Sequence, residues 1–176
     1  MLGTLPFEPP STFVRHGIRR TISSEALTTT DQPGESIVQE ERNKKVVREF
    51  IRVFKNERNL DGVAQLFDDR FVHHFRMPLP AGLEGLKQVG RMMAGSFPDL
   101  VVTEEDLIAS GDKVVERSSA AGTHKGSMAG ELPTNKKAYW SEIFIYSLLR
   151  GKIVELWVEG STLELLQQIG ALPQPD

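Results

Sequence analysis

The sequence predicts an α+β fold, with helices packed on one face of a curved antiparallel sheet. Three observations carry this. Apolar residues recur at helical spacing from about Ser36 to Ser96. From Leu100 onward the period drops to two, the alternation of half-buried strands. Gly111-Asp112 and Arg150-Gly151 then divide the strand-like stretch at hairpin positions.

The elements follow in order. Val46, Val47, Phe50, Ile51 and Phe54 form one apolar stripe, with charges from Glu40 to Arg58 on the other faces, so a first long helix is expected there. Asn59 caps a short second helix, with Asp61 in its first turn and Val63, Leu66 and Phe67 as its buried side. Residues 70–76 read as a short strand that Pro78 and Pro80 end. Gly82–Ser96 is a third helix with Leu83, Leu86, Val89, Met92 and Met93 inward, stopped by Phe97-Pro98-Asp99. Four strands are expected at residues 100–109, 113–124, 136–149 and 152–159. A closing helix over residues 162–169 ends at Gly170, a suitable C-terminal cap.

Composition narrows the function. The 176 residues suit one domain with an appendage, and 39% hydrophobic with 26% charged residues is an ordinary globular mix. A net charge of −3 gives no electrostatic case for nucleic acid or anionic membranes. The absence of cysteine removes disulfides, thiolate catalysis and Cys-based zinc sites, and fits a reducing, cytoplasmic setting. No apolar run reaches the roughly 18 residues of a spanning helix, and the N-terminus lacks a secretory h-region. Arg15, Arg19 and Arg20 lie in a Ser/Thr-rich stretch, but Glu8 and Glu25 weaken a transit-peptide reading.

Residues 1–40 form an N-terminal extension. Pro6, Pro9, Pro10 and Pro33 punctuate it, and Thr28-Thr29-Thr30-Asp31-Gln32-Pro33-Gly34 reads as linker. Phe13, Val14 and Ile18 suit either a docking arm or a disordered tail. Residues 41–172 are the expected domain, and 173–176 a tail.

Several strings narrow the fold further. They are Phe71-Val72-His73-His74, Ser96-Phe97-Pro98-Asp99-Leu100, Glu105-Asp106-Leu107-Ile108-Ala109 and Gly111-Asp112-Lys113-Val114-Val115. Gly122-Thr123-His124-Lys125-Gly126, Pro133-Thr134, Trp140 and Gly151-Lys152-Ile153-Val154-Glu155-Leu156-Trp157 follow. In this order over about 130 residues the chain resembles the SnoaL-like polyketide cyclase (ester cyclase) family of the nuclear transport factor 2-like superfamily. The resemblance implies a cone-shaped α+β barrel in which a curved antiparallel sheet and three N-terminal helices enclose an apolar pocket. It also implies a homodimer formed through the sheet, and cofactor-free ring closure by an acid/base aspartate assisted by a histidine. A base near an acidic C–H and a group to hold the enolate oxygen are what such chemistry needs.

The family's last strand ends Glu-His-Trp-Asp, where this chain has Glu155-Leu156-Trp157-Val158. The aspartate thus falls on Val158 and the preceding histidine on Leu156, giving the pocket an apolar wall if their shared face lines it. His124 matches the assisting histidine and is the leading acid/base candidate, with a strand-end hydrogen-bonded imidazole as the plainer reading. His73, Glu142 and Glu159 are the other catalytic candidates. Glu142 lies between Trp140 and Phe144 on one strand face, where a carboxylate would have a raised pKa. The alternative for Glu142 is a cross-strand ion pair with Arg117 or an arginine across a dimer. Glu159 would need a bulge to turn inward. Phe75, Met77, Met92, Met93, Arg117, Trp140, Leu156, Trp157 and Val158 are candidate ligand contacts, and the apolar ones serve equally as core. No ligand spacing of the His-Glu-x-x-His kind occurs, so no metal is expected.

The expected function is acid/base cyclisation, isomerisation or dehydration of a small apolar oxygenated molecule, polyketide-like or terpenoid-like, without a cofactor. A non-catalytic hydrophobic-ligand carrier and a dimerising interaction domain are the alternatives, because Val158 replaces the family's acid.

Overall fold

The structure is a computed structural model and describes residues 33–174. The docking residues Phe13, Val14 and Ile18 and most of the linker lie outside the described residues.

Helix α1 spans Pro33–Phe50 and continues into a π-helical segment, Ile51–Asn56. Pro33 and Gly34 are already helical, ahead of the apolar periodicity. The helix thus takes in two residues that the sequence reads as linker. Glu40 and Asn43 of α1 accept from the Gly111 N–H and donate to the Gly111 carbonyl, at 2.9 and 3.1 Å. They anchor the helix on one hairpin turn. Asn56 does the same to an edge strand: its amide exchanges two hydrogen bonds with the backbone of Val102.

The short second helix is reduced to one 3-10 turn, Ala64–Leu66. Asn59 still caps the preceding turn, accepting from the Gly62 N–H at 2.9 Å. Gly62 weakens helix propagation and the chain turns into a strand at Phe67, so no further turn can form.

Strand β1 is Phe67–His73 and helix α2 is Gly82–Ser96. Strands β2 (Val101–Ser110), β3 (Lys113–Thr123), β4 (Lys137–Leu149) and β5 (Lys152–Gly160) precede helix α3, Thr162–Ile169. The sheet order is β1-β5-β4-β3-β2. β2 to β5 form the expected antiparallel meander. β1, however, joins β5 in parallel, which makes the sheet mixed. A long connection through α2 and three strands separates β1 from its partner, and only tertiary packing fixes their direction.

Turn chemistry holds the hairpins in register. Arg150 and Gly151 both have positive φ, as a type I′ turn requires, and Gly111 takes the positive φ of a first central position. A bulge at Val154 resets the alternation of β5, so Ile153 and Leu156 both point into the core. Gly170, with φ of 93°, closes α3 and donates to Leu166 and Gln167.

The main core gathers Val47, Phe50 and Ile51 with Phe67, Phe71 and Tyr146, under the inner face of the sheet. A second cluster, with Phe97, Leu100, Trp140 and Leu165, sits under α3. Among the described residues no helix is long and apolar enough to cross a membrane.

Candidate active site

A cavity of about 130 Å³ lies where the two apolar clusters meet. Phe50, Phe54, Phe75, Trp140 and Phe144 give it aromatic walls. Leu86, Val89, Met93, Leu100, Val102 and Val158 complete the apolar surface. Three charged side chains reach it: Lys55, Arg58 and Glu142.

Strand alternation explains Glu142. Trp140, Glu142, Phe144 and Tyr146 take the inner face of β4, while Tyr139, Ile143 and Ile145 face out. The Trp140 indole N–H donates to Glu142 Oε1 at 3.1 Å. Glu142 keeps some accessible surface, but that surface lines the cavity, and protein surrounds the carboxyl. Burial pushes its pKa above the usual 4.5. The Lys55 charge and the Trp140 hydrogen bond pull it down, and Glu116 pushes it up.

Beside it lies a charged cluster that the sequence reading did not single out. Glu116 is fully buried on the inner face of β3. Lys55 Nζ reaches its two oxygens at 2.7 and 2.9 Å, and the Tyr146 hydroxyl donates to it at 2.5 Å. Lys55 also sits 3.3 Å from the centroid of the Phe144 ring, a cation–π contact. Burial and the Glu116 charge raise the Tyr146 pKa well above 10, so this hydroxyl stays protonated. Arg58 has a positive φ of 57° and donates through Nη2 to the Leu100 carbonyl at 3.0 Å. Its Nε is buried with no acceptor in the protein. The signal for Glu116 was present in the sequence: it shares its strand face with Val114, Ser118 and Ala120, where a charge is out of place.

The remaining candidates are distributed as follows. Phe75, Met93, Trp140 and Val158 line the cavity with Glu142. Leu156 shares Val158's face but is fully buried in the core. His124 is also fully buried, outside the cavity lining. Its ring packs on Phe97, its Nδ1 lies 3.0 Å from Thr134 Oγ1, and its backbone closes the β3–β4 loop through Lys136 and Asn135. His73 faces Pro80, with Nε2 2.8 Å from that carbonyl, and stacks near Phe75. Glu159 is exposed and lies 3.4 Å from Arg76. Arg117 is on the outer face, paired with Asp106 at 2.7 Å, and not with Glu142. Met77 and Met92 are exposed, and Trp157 stacks on His74 at 4.3 Å outside the cavity. No group of three or more His, Asp or Glu among the described residues could hold a metal.

The arrangement brings a largely buried carboxylate, the Lys55 and Arg58 cations and aromatic walls to one cavity. That combination can remove a proton from carbon and hold the charge that develops on oxygen.

The family model described as SnoaL-like polyketide cyclase matches residues 44–169, more than half of the chain. The chain belongs to the SnoaL-like polyketide cyclase family. Solved structures agree with this SnoaL-like fold. A proposed polyketide cyclase from Bacillus cereus is 28% identical, with a TM-score of 0.66 over 80% of this chain and 89% of that one. IdmH from Streptomyces antibioticus, a proposed polyketide cyclase, is 26% identical, with a TM-score of 0.64 over 73% of this chain and 98% of its own. AclR from Streptomyces galilaeus, a proposed hydroxylase, is 23% identical and superposes with a TM-score of 0.70 over 78% and 86%. At that identity it is a likeness of fold alone. No curated protein sequence matches the chain. Membership supports a cyclase- or isomerase-type function for this SnoaL-like domain.

Proposed function

We propose that this SnoaL-like protein moves a proton on a small, largely apolar, oxygenated molecule, with Glu142 as the acid/base in place of the acid absent at Val158. Cyclisation, isomerisation and dehydration of a polyketide-like or terpenoid-like molecule all begin with this step, and none needs a cofactor. The observation that carries the reading is a carboxylate lining an aromatic cavity with its pKa raised by burial. A raised pKa brings the base toward neutral operating pH, where proton transfer is most effective. His124, His73 and Glu159 lie outside the cavity lining, and the buried ring nitrogens without a partner, His124 Nε2 and His73 Nδ1, do not line it either, so the reading rests on Glu142.

The test is α-proton exchange of an enolisable ketone in D2O, followed by NMR. Glu142→Gln is expected to slow enzyme-dependent exchange by about 100-fold or more. Unchanged exchange would remove Glu142 from this role. The carrier reading has its own support in Val158, which gives the cavity an apolar wall where the family resemblance places an acid. It would be favoured if ligands bind while the wild-type protein catalyses no exchange at all.

Homodimerisation through the sheet is part of the same proposal. Val101, Ile108, Tyr139 and Ile143 leave an exposed apolar band on its outer face, which suits burial against a second copy.

A further inference from the structure

Two carboxylates on the inner face of the sheet share one cation. Resting on the reading of Glu142 as the base, we infer that Lys55 is a positioning residue for the proton step: Glu116 fixes its ammonium near Glu142, and that charge keeps Glu142 in the anionic form a base needs.

The sheet brings the two acids together. In the β3–β4 register Glu116 stands opposite Phe144, and Ser118 opposite Glu142. Glu116 and Glu142 are therefore diagonal neighbours on one face, with Cβ atoms about 7 Å apart. Two carboxylates at that separation in a poorly hydrated interior oppose each other's ionisation.

Lys55 answers both. It comes four residues after the buried Ile51 and next to the buried Phe54, so it occupies the apolar side of its helix, where a charge is out of place. The helix is π-helical over this segment, an irregularity frequent at functional sites. The Lys55 Nζ lies 3.3 Å from the ring centroid of Phe144, the residue opposite one acid and two positions from the other.

Stability does not call for this cluster, since apolar residues of similar volume usually serve folding as well as a buried ion pair. The cluster is nonetheless complete: both Glu116 oxygens meet Lys55, and Tyr146 donates to one of them. The result is an ammonium fixed on the wall that Glu142 also lines. Its direct ion pair is with Glu116, so it acts on Glu142 through space. There it draws the carboxyl pKa down against burial, while Glu116 pushes it up, and of these opposed charges Lys55 has the larger effect. The other ionisable groups around the pair are Arg58, held by the Leu100 carbonyl, and Tyr146, which stays protonated. The lining residues of α2 and β5 are uncharged. In the proton step the α-hydrogen passes to Glu142, its C–H pair becomes the C=C bond and the carbonyl π pair moves to oxygen. The negative charge leaves Glu142 but stays in the cavity, so the ammonium faces it before and after the transfer.

The experiment is an NMR titration of the Glu142 side-chain carbon in the ¹³C-glutamate-labelled full chain, with Glu142→Gln giving the assignment. Two variants disturb the same ion pair with opposite electrostatic results. Glu116→Gln keeps the shape and an acceptor for Lys55 and Tyr146 but removes the opposing charge, so the Glu142 midpoint is expected to fall. Lys55→Met combined with Glu116→Gln removes both charges. Because the Lys55 effect is the larger, the midpoint is expected to rise above that of the wild type. α-Proton exchange of cyclohexanone in D2O follows it: on the acid limb the double variant is slower by about threefold or more, and the gap closes as pH rises. Loosened packing alone would move both variants the same way. Midpoints that move together, or that stay where they are, overturn the inference. If the double variant does not fold, Glu116→Gln decides alone, and a midpoint that holds or rises there overturns it. Failure of Glu142 as the base shows separately: the midpoints keep their order while exchange is indifferent to Glu142→Gln.

Discussion

Trp140 and Glu142, two residues apart on β4, are joined by an indole N–H donated to a carboxylate oxygen at 3.1 Å. Both side chains face the cavity. The bond orients the carboxylate and stabilises its charged form against the burial that works the other way.

Removing that donor should therefore weaken the acid. In Trp140→Phe the Glu142 pKa rises further, and the acid limb of a kcat/KM profile moves to higher pH. The check is a pH–rate profile of α-proton exchange for both proteins.

The same shift has a stability consequence. The folded-state pKa of Glu142 lies above its unfolded value of about 4.5, so the folded protein binds the proton more tightly. Stability is then highest below the unfolded value and falls as pH rises through the folded one. Glu142→Gln lacks that loss and keeps an acceptor for Trp140. It should be more stable than wild type above this window and equal to it at the acid end, as urea unfolding at several pH values will report.

The Lys55–Glu116–Tyr146 cluster is sensitive to half-removal. Lys55→Met strands a fully buried carboxylate and should cost about 3–5 kcal/mol. For a domain of this size that is a fall of about 10 °C in Tm. Adding Glu116→Leu and Tyr146→Phe replaces the cluster with apolar groups and should recover most of the loss, measured by calorimetry.

Gly85 permits α2 to approach β1. A Cβ there would come 2.1 Å from the Pro80 carbonyl and 2.3 Å from His73 Nε2. Gly85→Ala should lower stability by about 1–3 kcal/mol and break the His73–Pro80 contact, visible as a moved His73 imidazole resonance.

On the outer face, Ile143→Asp places a charge in the apolar band. If two copies meet there, light scattering should show a shift from dimer to monomer with cavity binding retained.

Much of this was legible in the sequence because it depends on local periodicity. The inner face of β4, the two hairpin turns and the αL cap at Gly170 all follow from spacing and turn chemistry. The parallel pairing of β1 with β5 did not, since it joins residues far apart in the chain. The string around His124 identified a matching residue but carried no information on packing. Only the fold puts Phe97 and Thr134 against that ring. Arg58 looked like one more charge on a helix face, and its carbonyl contact to Leu100 arises from tertiary structure. Alternation flagged Glu142, and of the site residues that were missed it could also have flagged Glu116.

The central claim rests on the Glu142 carboxyl and is read most directly by an NMR titration of its side-chain carbon in ¹³C-glutamate-labelled protein. Glu142→Gln assigns the resonance, and the titration is run with and without methyl 2-oxocyclohexane-1-carboxylate. A midpoint above that of an ordinary glutamate, displaced again when the keto ester is present, is the expected result. A midpoint at or below the ordinary value that ignores the keto ester would contradict it.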